Sequence, residues 1–139
     1  MFKKVFFFAF FVLALSAFGT SAFAAETSST DYDEVIASLE KTNHEIEEKI
    51  DQAVIAADEL QAVYQSDLQM LDESEHNART EKYNNDLDIL ISDLYNTTLE
   101  MATDAINKAA EKGVYAEAYW TLVELGGRSV WIDPIRVGL

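Results

Sequence analysis

The chain has 139 residues, with 25 acidic against 10 basic side chains and a formal charge of −15. A surface with that balance repels phosphate backbones and anionic headgroups, which excludes nucleic acid and acidic membranes as natural partners and leaves cations and basic proteins open. No cysteine is present, so disulfides, thiolate catalysis and a lipidated cysteine are excluded together and stability has to come from a core.

The chain opens with Lys3 and Lys4, an apolar run from Val5 to Ala17, and Ala22-Phe23-Ala24. A basic start, a short apolar stretch and a small-x-small site together read as a secretory signal peptide spanning 1–24 and cleaved after Ala24. An anchor would need about 20 consecutive apolar residues, and Ser16, Gly19, Thr20 and Ser21 dilute the run first. The expected mature chain starts at Ala25 and keeps 115 of the 139 residues, one domain's length. Loss of Lys3 and Lys4 leaves eight basic residues against 25 acidic ones and takes the charge from −15 to −17. The expected location is secreted, outside the cell or at its envelope, with no membrane attachment after cleavage.

Residues 25–30 read as a disordered polar lead. Asp31 then offers a cap, with Glu34 three residues on. From Ile36 the positions Leu39, Asn43, Ile46, Ile50, Ala53, Ala57, Leu60, Tyr64, Asp67 and Leu71 follow in alternating steps of three and four. This heptad seam, unbroken by Gly or Pro, predicts one helix over 32–73. Asp72 to Thr80 lacks a large apolar residue and breaks the phase, which predicts a turn between antiparallel helices. The stripe resumes at Tyr83 and runs through Leu87, Leu90, Leu94, Thr98, Met101, Ala105 and Ala109, with Ile91 and Ile106 widening it. Lys108 and Lys112 followed by Gly113 mark the end of this second helix.

Tyr115 to Leu125 reads as a short third helix stopped by Gly126-Gly127. The tail, 128–139, holds β-prone Val130-Trp131-Ile132 and then Pro134. It is expected as an extended segment lying across the helices, a lone strand having no partner within the chain. The fold class predicted is therefore all-α: a long antiparallel helical hairpin with a short third helix over 31–127 and an extended C-terminal tail.

Catalysis finds no footing. No serine sits in a Gly-x-Ser-x-Gly elbow, and His44 and His76, the two histidines, lie on the solvent side of the seam and in the predicted turn. Glu40, His44 and Glu48 share one helix face, but three exposed helical ligands do not close a metal site. No cofactor is expected, and at most weak binding of divalent cations. Asn96-Thr97-Thr98 is a glycosylation sequon, placed unfavourably on a helix.

Two features carry functional content. The seam fits the core of the hairpin, and Asn43, at an a-type position, fits an alternative in which the seam is shared with a second chain and a paired asparagine fixes register. Near the C-terminus Tyr115, Tyr119, Trp120 and Trp131 gather with Arg128 and Arg136 where acidic density is lowest, a composition suited to a partner-binding patch. The expected function is that of an exported, non-enzymatic protein acting through protein–protein interaction or self-association. The alternative is a small modulator of an extracellular hydrolase that places its extended tail in a groove.

Overall fold

Helix α1, Ser29–Met70, and helix α2, Glu73–Glu111, run antiparallel and are joined by Leu71 and Asp72 alone. Their 42 and 39 residues give lengths of about 63 and 58 Å at 1.5 Å per residue. The computed structural model describes the backbone of residues 29–138 and side-chain environments over 31–132. The signal peptide expected at 1–24 lies outside these described residues, as does most of the polar lead. Helix α1 reaches back to Ser29, so Asp31 sits within the first turn, where its charge suits the helix dipole, and does not precede the helix as a cap.

The connection is shorter and earlier than the polar stretch 72–80 predicts. Asp72 is extended (φ −68°, ψ 150°), and α2 begins at once with Glu73 and Glu75 in its first turn. The segment lacks large apolar residues because this turn is solvated at the closed end of the hairpin, and its acidic residues favour a helix start. Arg79 Nε bonds Asp67 Oδ2 at 2.5 Å across the connection. His76 Nε2 lies 3.2 Å from the Leu71 carbonyl oxygen.

The predicted seams form the core. Leu39, Ile46, Ala53 and Ala57 of α1 and Tyr83, Leu87, Leu94, Thr98, Ala105 and Ala109 of α2 are buried. Thr98, the buried polar member, donates its hydroxyl to the Leu94 carbonyl at 3.0 Å and so leaves nothing unsatisfied. At the end of α2 the Gly113 N–H bonds Ala110 O and the Val114 N–H bonds Ala109 O, both at 2.9 Å, with Gly113 at φ 73°. This is the paired 5→2 and 6→1 bonding of a Schellman cap, and buried Val114 and Ala109 supply its apolar contact.

Beyond the cap the expected third helix is corrected. Glu117–Leu125 is strand β1, and the tail, expected as a partnerless extended segment, is strand β2, Arg128–Gly138, paired antiparallel with it. The fold is thus mostly helical with a two-stranded sheet, and not all-α. Val123 and Leu125 are buried while Leu122 and Glu124 are exposed, a period of two that suits a β-branched and aromatic sequence. Gly126 and Gly127 have φ of 56° and 82°. Two successive positive φ values make a type I′ turn, whose twist closes a two-residue hairpin. The pair that reads as a helix stop is therefore what joins the two strands.

Register runs from Leu125↔Arg128 to Thr121↔Ile132 and resumes at Tyr119↔Arg136. Between those pairs β1 has Trp120 alone, whereas β2 has Asp133, Pro134 and Ile135. The proline, which has no N–H to give a ladder, falls in this bulge.

The hairpin packs on the helices as a second layer, with Leu125 and Ile132 fully buried beneath it. Its turn is pinned near the closed end. Tyr83 donates its hydroxyl to the Gly126 carbonyl at 3.0 Å, and Tyr83 stacks on Tyr64 with centroids 4.4 Å apart and planes 11° from parallel. Tyr64 Oη lies 2.9 Å from Thr80 Oγ1, and the Arg79 guanidinium stands 5.7 Å from the Tyr64 centroid. Arg128 clamps the start of β2 to α2, donating to Asp88 Oδ1 at 2.5 Å and to Asn84 Oδ1 at 2.8 Å. Tyr83→Phe keeps the stack and removes one hydrogen bond to a turn carbonyl, so it is expected to lower unfolding free energy by about 1 kcal/mol. Urea titration followed by circular dichroism measures it, and no change would mean that the turn does not depend on that hydroxyl.

Candidate functional site

Alternation along the strands divides the hairpin into two faces. Thr121, Val123, Leu125, Val130 and Ile132 face the helices, and the last four join or pack against the core. Trp120, Leu122 and Glu124 of β1, with Ser129 and Trp131 of β2, face outward. The type I′ turn makes Leu125↔Arg128 a hydrogen-bonded pair, so Leu122↔Trp131, three pairs on, is a non-hydrogen-bonded pair. In such pairs the Cα atoms approach to about 4.5 Å and the side chains lie closest together. Leu122 and Trp131 are therefore direct neighbours. They remain 48% and 57% exposed, and Trp120 55% exposed.

The polar surroundings are acidic. The Ser129 hydroxyl bonds the Glu124 carboxylate, and the Tyr115 hydroxyl donates to Glu117 Oε2 at 3.0 Å. That bond to a carboxylate, reinforced by the carboxylate's charge, raises the Tyr115 pKa above the ordinary tyrosine value. Among the described side chains of the hairpin the basic one, Arg128, is directed at Asp88 and Asn84 on α2. Comparison with family models, curated proteins and solved structures finds no match for this chain.

The residues singled out from sequence are thus only partly assembled. Trp120 and Trp131 share the outward face. Tyr119 is exposed but falls on the opposite parity of β1, and Tyr115 is exposed in the connection that precedes the strand. Arg128 serves as the clamp described above. The Arg136 backbone pairs with Tyr119, and its side chain lies outside the described ones. Asn43 is half-buried on α1, an element apart, and makes an interaction of its own. Leu122 is the residue missed: on a helix it belongs to the core stripe, and only the cross-strand register sets it beside Trp131.

Elsewhere on the surface, His44 Nε2 lies 3.4 Å from Glu48 Oε1 on an exposed helix face. Among the described residues no three His, Asp or Glu side chains converge on a common point suited to a metal. No described helix is long and apolar enough to cross a membrane. In the sequon, Asn96 is exposed but Thr98 is fully buried.

Proposed function

We propose that this is an exported, non-enzymatic interaction protein that binds a protein partner through the outward face of its β-hairpin, with the two long helices as the platform. The observation that carries the reading is the outward set Trp120, Leu122 and Trp131, each about half exposed and held on a short sheet whose other face is buried. Tryptophan loses little conformational entropy on binding and dominates interface hot spots, and large apolar side chains grouped on a rigid face are unusual without a partner. The seam around Asn43 has its buried members inside the hairpin core, which favours an intramolecular role for it over a shared one.

The test compares the exported fraction captured on the wild-type chain with that captured on Trp120→Ala/Trp131→Ala. Proteins retained by the wild type and lost by the variant, at an unchanged melting temperature, are the expected result. Identical captures would overturn the reading. The second reading, a hydrolase modulator acting through its C-terminal segment, has to work with β2 in place, since Arg128 and Ile132 anchor that strand. Deleting 128–139 would strip the core along with the tail, so point substitutions on β2 are the cleaner test of it.

A further inference from the structure

The two edges of the hairpin are not alike. Strand β2 carries Pro134 within its bulge, and proline and bulges are the devices that keep a further strand from pairing. Strand β1 has neither. Its nine residues contain no Lys, Pro or Gly, and among the described residues its sheet neighbour is β2 alone. Most of the packing on the helices is carried by β2, leaving β1 on the rim.

The turn also settles which backbone groups lie along that rim. With Leu125↔Arg128 and Val123↔Val130 as hydrogen-bonded pairs, Glu124 and Leu122 fall in the alternate pairs, whose N–H and C=O groups point away from β2. The residues whose backbones face the free edge are therefore the ones whose side chains form the outward face. The described charges of the hairpin that are not already paired with a helix are Glu117 and Glu124, on a chain of net charge −15.

We infer that the free edge of β1 takes an extended, basic polypeptide segment of another protein as a third strand. Its alternate apolar side chains cover Trp120 and Leu122 on the outward face, and its Lys or Arg residues, on the opposite face of the added strand, meet Glu117. Main-chain bonds supply the attachment and the outward face selects the side chains, as in strand addition generally. The inference rests on the hairpin face being the partner surface, and adds the binding mode and the chemistry of the partner.

The probes are a peptide of alternating Lys and Val matched to β1 in length, its Glu and Val counterpart, and the Lys peptide with a central proline. The Lys peptide is expected to bind the full chain and the Glu peptide not to. A central proline in the peptide, or Glu124→Pro in the protein, is expected to weaken binding about tenfold or more, because each removes a main-chain donor at the shared edge. Glu124→Gln separates the charge from the backbone effect. Hydrogen exchange supplies an independent signature: the amides of Leu122 and Glu124 slow on binding, while that of Val123, already paired with Val130, does not. If Glu124→Pro fails to fold, the proline peptide applies the same test to the wild type. Failure of the Lys peptide to bind overturns the inference, as does binding that ignores both prolines and leaves exchange unchanged. In the latter case loss of capture by the Trp120→Ala/Trp131→Ala chain would still leave the face as a partner surface. A wild type that sediments as a dimer, made monomeric by Glu124→Pro, would assign the edge to a second copy and overturn the basic partner.

Discussion

Leu87→Ala is expected to lower the unfolding free energy by about 2 to 5 kcal/mol, the range for truncating a fully buried leucine whose surroundings cannot collapse onto the gap. Leu87 has no solvent exposure, and its two methyls lie beside Gly126, so it packs where the β-turn meets α2. The stacked tyrosines and the Arg128 clamp hold the turn in place around it, which limits relaxation. Ile89, two residues along the same helix, is 53% exposed, and Ile89→Ala should change stability by no more than about 0.5 kcal/mol. Urea unfolding of both variants decides the matter. A loss below about 1 kcal/mol for Leu87→Ala would mean that the hairpin is not docked on α2 as described.

The contrast between those two positions also shows where sequence reasoning succeeds. Steps of three and four leave one face per helix, and Leu87 lies on it while Ile89 does not, so the long helices and their core are legible from residue spacing alone. Gly113 is legible for the same local reason, since a left-handed position after a last turn rich in lysine ends a helix wherever the chain goes next. Tyr115 to Leu125 is different. Eleven residues with large apolar side chains at 115, 119, 120, 122, 123 and 125 fit neither a period of 3.6 nor one of two without exceptions, and local propensity does not arbitrate. What decides is Val130-Trp131-Ile132 on the far side of Gly126-Gly127, a pairing that becomes visible only when two β-prone runs separated by two glycines are read together as a hairpin. The site inherits that ambiguity. Trp120 and Trp131 stand out by residue type, but Leu122 joins them through register, and Arg128 leaves the patch because α2 happens to present Asp88 and Asn84 forty or more positions away. Neither follows from a local pattern.

Gly126→Ala is expected to cost about 2 to 4 kcal/mol, combining the strain of a left-handed L-residue with overpacking of a filled site. Gly126 has φ 56°, and a Cβ there would stand 2.8 Å from Tyr83 Oη and 3.1 and 3.2 Å from the Leu87 methyls. None of these can yield freely: the tyrosine hydroxyl is bonded to the Gly126 carbonyl and its ring is stacked on Tyr64, and Leu87 is fully buried. Gly127 isolates the backbone part. Its φ of 82° carries similar strain, yet a Cβ would meet only Gln61 Nε2 at 3.6 Å, an ordinary contact. Gly127→Ala should therefore cost about 1 to 2 kcal/mol, and the difference between the two glycines reports the close approach of the turn to α2. Tyr83→Phe removes the atom in closest conflict. In that background Gly126→Ala should cost measurably less than in the wild type, because the two positions share one contact and their effects cannot add. Equal costs at the two glycines, or additive effects of Gly126→Ala and Tyr83→Phe in the unfolding cycle, would place the turn away from Tyr83 and remove the anchor that holds the outward face of the hairpin in position.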